Sequence, residues 1–384
     1  MTPAARVAAA IDILDHVLDG EPAERALLRW SRNSRFAGSG DRAAVRDLVF
    51  DSLRRRDSLA RLGGSATGGR GLMLGHVRAS GRDPDEVFTG VGHAPSTLTS
   101  DERRHVPDVE QGSDLPDWLW PQWKASLGAD ATAVAEAMRH RAPVWLRVNP
   151  RRASVEEAIG SLRAADVHVE RHGVLHTALR VLEGERRIAR SEAYLKGLVE
   201  LQDLSPQLAC AAVPLRSGDH VLDYCAGGGG KTLALGGRQD KMRLVAHDAS
   251  AERMKDLPDR AARADLRVEI SGTPQGPFDL VVADVPCSGS GTWRRSPDMK
   301  WRLTPDSLSA LVRTQSEILD RVATLVRPGG HLAYMTCSVL DAENDDQIAG
   351  LLDRDTGYQR VHRQSWTPLD AGDGFYLALL CRKF

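Results

Sequence analysis

The chain has 384 residues, 42% of them hydrophobic and 27% charged, with a formal net charge of −1. This is a globular composition, long enough for two or three separately cored domains and without the excess positive charge that announces nucleic acid. No apolar run approaches the ~20 residues of a membrane span, and the N-terminus, alternating Ala with Arg and Asp, offers no signal-peptide core. Five scattered cysteines without a Cys-x-x-Cys spacing argue against a disulfide framework or a zinc site. A reducing, cytoplasmic setting is expected, with no membrane and no metal.

Apolar residues at Val7, Ile11, Leu14 and Leu18, and again at Val45, Leu48, Val49 and Leu53, have the spacing of one helix face, so the chain to about residue 60 reads as packed helices. The arginines around the second stretch (Arg42, Arg46, Arg54 to Arg56) read as a solvated face or as an RNA contact. A glycine-rich break from Gly63 to Gly71 reads as a loop, and a polar stretch rich in Pro, Asp and Ser covers about 94–116. Three tryptophans between Trp118 and Trp123 read better as packing anchors between domains than as base-stacking platforms. Residues 130–141 look helical. Strand-like Trp145 to Asn149, a helix pattern over 154–165, strand-like Val167 to Glu170 and an apolar stretch to Leu182 form a small α/β segment.

From about 206 strands and helices alternate, which predicts a doubly wound, mostly parallel sheet. The strands are Val221–Cys225, Leu244–Asp248, Leu266–Ile270, Phe278–Asp284, Gly330–Thr336 and Phe375–Cys381, the last an edge or penultimate strand. Between the first strand and its helix lie Cys225, Ala226, Gly227, Gly228, Gly229, Gly230 and Lys231, a loop whose backbone can approach a ligand closely. A phosphate-loop reading fails because position 225 is Cys where that motif needs Gly. Asp248 follows Asp223 by 25 residues, near the ~20-residue offset at which an acid binds a ribose hydroxyl pair. A nucleoside-bearing cofactor is expected there.

Two further strands end in thiols. Asp284-Val-Pro-Cys287-Ser-Gly closes one, and Tyr334-Met-Thr-Cys337-Ser338 closes another. Either cysteine alone reads as a buried core thiol. Two at the ends of neighbouring parallel strands, each followed by Ser, would face one pocket beside the cofactor loop, where a nucleophilic thiol needs partial access and a lowered pKa.

These motifs, with Arg294-Arg-Ser-Pro-Asp-Met-Lys300-Trp, Val199-Glu-Leu-Gln-Asp203-Leu-Ser-Pro-Gln and Asp373-Gly-Phe-Tyr, resemble the Sun/Nol1/Nop2 family of RNA cytosine-5 methyltransferases. The layout is similar to its bacterial small-subunit rRNA branch. The resemblance implies a multidomain chain: a NusB-like helical domain at 1–125, a small α/β linking segment at 126–200, and a Rossmann-like methyltransferase domain at 201–384. It implies S-adenosylmethionine as cofactor, bound by Cys225 to Lys231, Asp248 and Asp284, and RNA as partner of a monomer. Cys337 would be the nucleophile toward carbon 6 of cytosine. Asp284 would hydrogen-bond the ring, Cys287 would assist breakdown of the adduct, and Lys231 would reach into the site. Arg147, Asn149, Arg294, Arg295 and Lys300 are the candidate RNA contacts. The alternatives are a tRNA substrate, or an RNA-binding assembly factor that has lost turnover.

Two departures from the family bear on the cofactor. Gly227-Gly228 stands where the family has Ala-Pro, which predicts a more flexible loop. The acid expected after the third strand is missing from Ile270-Ser-Gly-Thr273-Pro.

Overall fold

The computed structural model describes residues 1–64, 68–106, 112–370 and 372–384. Parts of two segments read from the sequence, the glycine-rich break at 65–67 and the polar stretch at 107–111, lie outside them. The chain forms two compact units: Met1–Arg141 with Trp293–Thr304, and Ala142–Thr292 with Pro305–Phe384.

The first unit is helical. Helices Pro3–Leu18, Ala23–Asn33, Ser39–Arg54, Arg56–Gly63 and Gly69–Ala79 carry its core, built on Val7, Leu14, Val45, Val49, Leu53, Leu59 and Met73. The first helix starts where Thr2 accepts a hydrogen bond from Ala5 N and Pro3 occupies the first turn, so two of its unpaired amides are accounted for. Helices Arg56–Gly63 and Gly69–Ala79 cross closely because a Cβ at Gly75 would overlap the Leu59 backbone. This unit runs to Arg141 and takes in twelve residues from far along the chain, Trp293–Thr304. Trp123 is fully buried within this unit, stacked on Trp293 with ring centroids 6.0 Å apart.

The second unit contains two sheets. Strands β1 (Val144–Val148), β2 (His168–Arg171), β3 (Ala178–Glu183) and β4 (Val199–Leu201) form an antiparallel sheet in the order β2-β3-β1-β4. Helix Val155–Ala164 packs on it, started by a Ser154/Glu157 capping box. Strands β5 (His220–Asp223), β6 (Arg243–Ala246), β7 (Val268–Ile270), β8 (Phe278–Asp284), β9 (Val326–Thr336), β10 (Tyr358–Trp366) and β11 (Phe375–Arg382) form a second sheet. Its order is β10-β11-β9-β8-β5-β6-β7. The pairs β5–β6, β6–β7, β5–β8 and β8–β9 are parallel, and β9–β11 and β10–β11 antiparallel.

Both faces of this sheet are covered. Helices Pro305–Ala323 and Asp345–Arg354 pack on one, and Leu204–Ala212 and Gly230–Gly236 on the other. This two-sided burial is why the central strands read as unbroken apolar runs. The chain lays down β5, β6 and β7 outward, then returns to place β8 on the other side of β5. The strand order therefore reverses between β5 and β8, which opens a crevice at their carboxyl ends. No helix among the described residues is long and apolar enough to cross a membrane.

Candidate active site

Asp223 ends β5, Asp284 ends β8, and Cys337 follows β9, so the residues that the sequence singled out converge on that crevice. Lys231, in the first turn of helix Gly230–Gly236, donates a hydrogen bond from Nζ to Asp284 Oδ2. Burial opposes the Lys231 charge, but the Asp284 carboxylate more than reverses that, with Cys337 among the other contributors, and the ammonium is held above its ordinary range. Its Nζ also lies 5.5 Å from the centre of the Phe375 ring.

The two thiols meet. Cys287 Sγ and Cys337 Sγ are 3.3 Å apart, both partly exposed, and all five cysteines are free. Contact with Cys337, then burial, pushes the Cys287 thiol well above its ordinary range, and Glu343 adds to the rise. Cys287 is therefore held as a protonated thiol at neutral pH. Around the pair, Ser290 Oγ contacts Ser338 Oγ at 2.9 Å and accepts from Val339 N at 2.9 Å, and Gly291 N donates to Cys337 O at 2.9 Å.

The glycine loop is tied down rather than loose. Gly227 N donates to Asp248 Oδ2 at 3.0 Å, Ala226 N to His247 O, and Gly229 N to Ala226 O. Arg260 donates to Gly228 O, and its other arm reaches buried Glu200 at 3.0 Å, which also holds Arg263 at 2.5 Å. Gly227 and Gly229 have φ of +50° and +81°, and a Cβ at 229 would overlap Leu257. The flexibility expected from Gly227-Gly228 is thus offset by four hydrogen bonds. Burial, and then Asp223, push the Cys225 thiol up to about 12.

The candidate RNA contacts lie mostly inside the fold. Arg147 is 7% exposed with Nε on Gln202 Oε1 at 2.7 Å, and Asn149 is 2% exposed with Nδ2 donating to Gly197 O and Ala264 O. Arg294 and Lys300 are also buried, Lys300 donating to Arg54 O at 3.1 Å. As placed, these four are buried side chains. The donors of Arg147, Asn149 and Lys300 face backbone carbonyls and a neighbouring side chain, and only Arg295 of the set is partly exposed. After β7 the chain presents Ser271 and Thr273 without the expected carboxylate, and Ser271 O is in contact with His247 Nδ1 at 2.9 Å.

Sequence reasoning missed Glu343, Glu200 and Arg260. Glu343 sits in Asp341-Ala-Glu-Asn-Asp345-Asp, an acid-rich stretch that reads as solvated, yet it is fully buried. Two of the quoted motifs do meet: Asp203 Oδ1 accepts from Asp373 N at 2.9 Å, and Ser205 Oγ donates to Asp373 O at 2.6 Å.

Residues 210–381 match the family model described as 16S rRNA methyltransferase RsmB/F, and residues 115–188 match the ferredoxin-like domain of the RsmF/B-like methyltransferases. The ribosomal RNA small subunit methyltransferase B of Erwinia tasmaniensis is 30% identical over 331 residues, covering 82% of this chain and 73% of that protein. The chain belongs to the RsmB/F methyltransferase family. The same-named proteins of Xanthomonas campestris pv. campestris and Enterobacter sp. strain 638 are each 32% identical, the matches covering 72% and 66% of their lengths. Against some of these family members, then, the chain spans just under two thirds of the relative. Among solved structures, PH0851 superposes with a TM-score of 0.76 at 23% identity, over 99% of both chains. NSun6 from Pyrococcus horikoshii, solved with SFG, gives 0.62 at 17% identity, over 70% of this chain and 98% of that one. At those identities the structures show a shared methyltransferase fold.

Proposed function

We propose that this chain methylates carbon 5 of a cytidine in small-subunit ribosomal RNA, through a covalent cysteine adduct and with S-adenosylmethionine as methyl donor. The observation that carries the reading is the thiol pair, 3.3 Å apart at the crevice that the Lys231–Asp284 pair also faces. A single nucleophile needs one thiol. A second thiol held protonated beside it suits an addition that must later be reversed.

The crevice fits the cofactor. Asp248 Oδ2 accepts from Gly227 N and pairs with Arg253 Nη1 at 3.3 Å, while Oδ1 accepts only from Ser250 N, which leaves a lone pair on Oδ1 for a ribose hydroxyl. Buried Asp223 Oδ1 has no partner, and Gly227 to Gly230 leave the loop backbone as a cradle bare of side chains. S-adenosylmethionine, held by the 225–231 loop and Asp248, would supply an electrophilic methyl group.

The protein residues act on the base. Cys337 sulfur adds to carbon 6 while its thiol proton passes to the Asp284 carboxylate and on to ring nitrogen 3, so carbon 5 becomes nucleophilic. Lys231 keeps Asp284 in place and balances its charge. After methylation the carbon 5 proton passes to water and the ring double bond re-forms as the carbon 6–sulfur bond breaks; the Cys287 thiol donates a hydrogen bond to the departing Cys337 sulfur, which is reprotonated as ring nitrogen 3 returns its proton through Asp284. The target base must leave its stack to reach the crevice, which favours a loop or bulge of RNA. The helical unit, which the family layout implies to be NusB-like, is the proposed RNA-recruiting part of a monomeric enzyme.

The test uses the Cys287→Ala variant with S-adenosylmethionine and unmodified small-subunit rRNA. A protein–RNA band should survive denaturation and disappear when Cys337 is also replaced. A band that persists without Cys337 refutes the assignment of the nucleophile, and trapping on tRNA but not rRNA reassigns the substrate. The missing acid after β7 favours a second reading, a silenced assembly factor. Calorimetric titration that finds no S-adenosylmethionine binding up to millimolar concentration would establish that reading instead.

A further inference from the structure

The side chain of Glu343 is 0% exposed, and among the described residues no Lys, Arg or His forms an ion pair with it. A carboxyl group buried without a cation is costly unless hydrogen bonds surround it. Glu343 accepts four. Oε1 takes Ser288 N at 2.8 Å and Gln315 Nε2 at 3.0 Å, and Oε2 takes Ser288 Oγ and Ser338 Oγ, each at 2.5 Å.

The identity of these donors is informative. Ser288 directly follows Cys287, and Ser338 directly follows Cys337. Gln315 also donates to Pro286 O at 2.9 Å, so the residue before Cys287 is gripped from the same side. The Glu343 backbone is fixed in turn, its carbonyl accepting from Tyr334 OH at 2.7 Å, and Tyr334 lies in β9, the strand that delivers Cys337. One side chain thus joins the loops that carry both thiols. Packing alone would be served as well by an apolar residue, without the cost of a buried carboxyl group.

We propose that Glu343 is the positioning residue of the thiol pair: by clasping the residue after each cysteine it sets Cys287 and Cys337 in register across one pocket. This rests on the methyltransferase reading above for its effect on turnover, but the geometry of the thiols does not depend on that reading. Loops of glycine and serine would otherwise be free to move the two sulfurs by an ångström or more. Misplacement of a reacting group on that scale costs about 100-fold in rate.

The test compares Glu343→Gln and Glu343→Ala with wild type in two readouts. In turnover, Glu343→Ala lowers kcat about 100-fold while KM for RNA and affinity for S-adenosylmethionine stay within about threefold. Glu343→Gln keeps an acceptor for Ser288 N and a group that can bond both hydroxyls, so it restores kcat to within about tenfold of wild type. The second readout needs no substrate: alkylation of Cys287 by iodoacetamide, followed by mass spectrometry from pH 6 to 11. Removing the Glu343 charge in either variant shifts this profile to lower pH. Unchanged kcat in Glu343→Ala, or a fall matched by loss of binding, overturns the proposal, as does a Cys287 profile that moves in neither variant. If wild type itself transfers no methyl group, the functional reading fails, and the alkylation profile alone still decides the role of Glu343. If Glu343→Ala does not fold, Ser338→Ala, which removes one arm of the clasp, takes its place with the same expected split between kcat and KM.

Discussion

Replacing Asp223 by Asn should stabilise the protein above neutral pH and leave it little changed in acid. Asp223 is 1% exposed at the end of β5, beneath the glycine loop. Its Oδ2 accepts from Thr232 N at 3.0 Å and Thr232 Oγ1 at 2.6 Å, while Oδ1 has no partner. Burial, only partly countered by Thr232 and Lys231, raises its pKa from 3.8 to about 6. The folded state therefore binds more protons than the unfolded state between those values. The stability this carboxyl contributes is fully present below pH 3.8 and is lost as pH rises through about 6. A shift of about two units is worth about 3 kcal/mol, roughly half of it lost between pH 5 and 7.5. Asn keeps the shape, accepts from both Thr232 N and Thr232 Oγ1 through its oxygen in the place of Oδ2, and has no charge to bury. Urea denaturation of both proteins at pH 5 and 7.5 is the assay. The gap in unfolding free energy should move in favour of Asn by about 1.5 kcal/mol between those pH values. A gap that stays constant refutes the claim that Asp223 is buried as an under-partnered carboxyl group.

Three further outcomes follow from the same geometry. Gly229→Ala puts a side chain at φ +81° and against Leu257, so the loop must shift; titration calorimetry should show S-adenosylmethionine affinity at least tenfold weaker, and wild-type affinity would contradict the cradle. Arg260→Ala removes the anchor on Gly228 O but leaves Arg263 on Glu200. Cofactor affinity should fall roughly tenfold, the worth of one charge-assisted hydrogen bond, with the melting temperature nearly unchanged. In the helical unit, burial holds Lys300 down at about 7 despite Asp114 and Asp57 nearby, so the folded chain binds fewer protons than the unfolded one from about pH 7 to 10.5 and gains stability across that window. Lys300→Met removes this dependence. Its stability relative to wild type should be higher at pH 6.5 than at pH 9.5, and equal differences at both would show that Lys300 is not buried as described.

The sequence made some elements legible for reasons that can be named. Phe278–Asp284 was readable to the residue because β8 is buried on both faces and its apolar run ends at a carboxylate. β10 was not read at all. Only its first and last residues, Tyr358 and Trp366, are buried, and the seven between them are exposed, so neither alternation nor an apolar run marks it as a strand. It is held by pairing with β11, which no local pattern reports. In the site, Asp284, Cys287, Cys337 and Lys231 were legible because chemistry at strand ends is sparse and ordered. Glu343 was hidden for the opposite reason. It lies among other acids in a polar stretch, and its burial comes from two loops closing over it.

The basic segment from Arg294 to Trp301 shows where reading by residue type goes astray. Cations beside tryptophans suggest a nucleic-acid surface, yet here the donors are directed at a helix end within the helical unit. Helix Ser39–Arg54 leaves its last carbonyls without intrahelical partners, and that end carries the negative pole of the helix dipole. Lys300 Nζ donates to Arg54 O at 3.1 Å, Trp301 Nε1 donates to Leu53 O at 2.7 Å, and Arg54 Nε returns a bond to Arg294 O at 2.6 Å. Asp298 does the complementary work at the start of another helix, accepting from Ala23 N at 3.2 Å. Lys300 and Trp301 at one helix terminus and Asp298 at another satisfy backbone groups that those ends leave unpaired, so these three side chains of the segment act as helix caps. Substitutions in it should then act first on the stability of the helical unit, and any loss of RNA binding should track unfolding and not precede it.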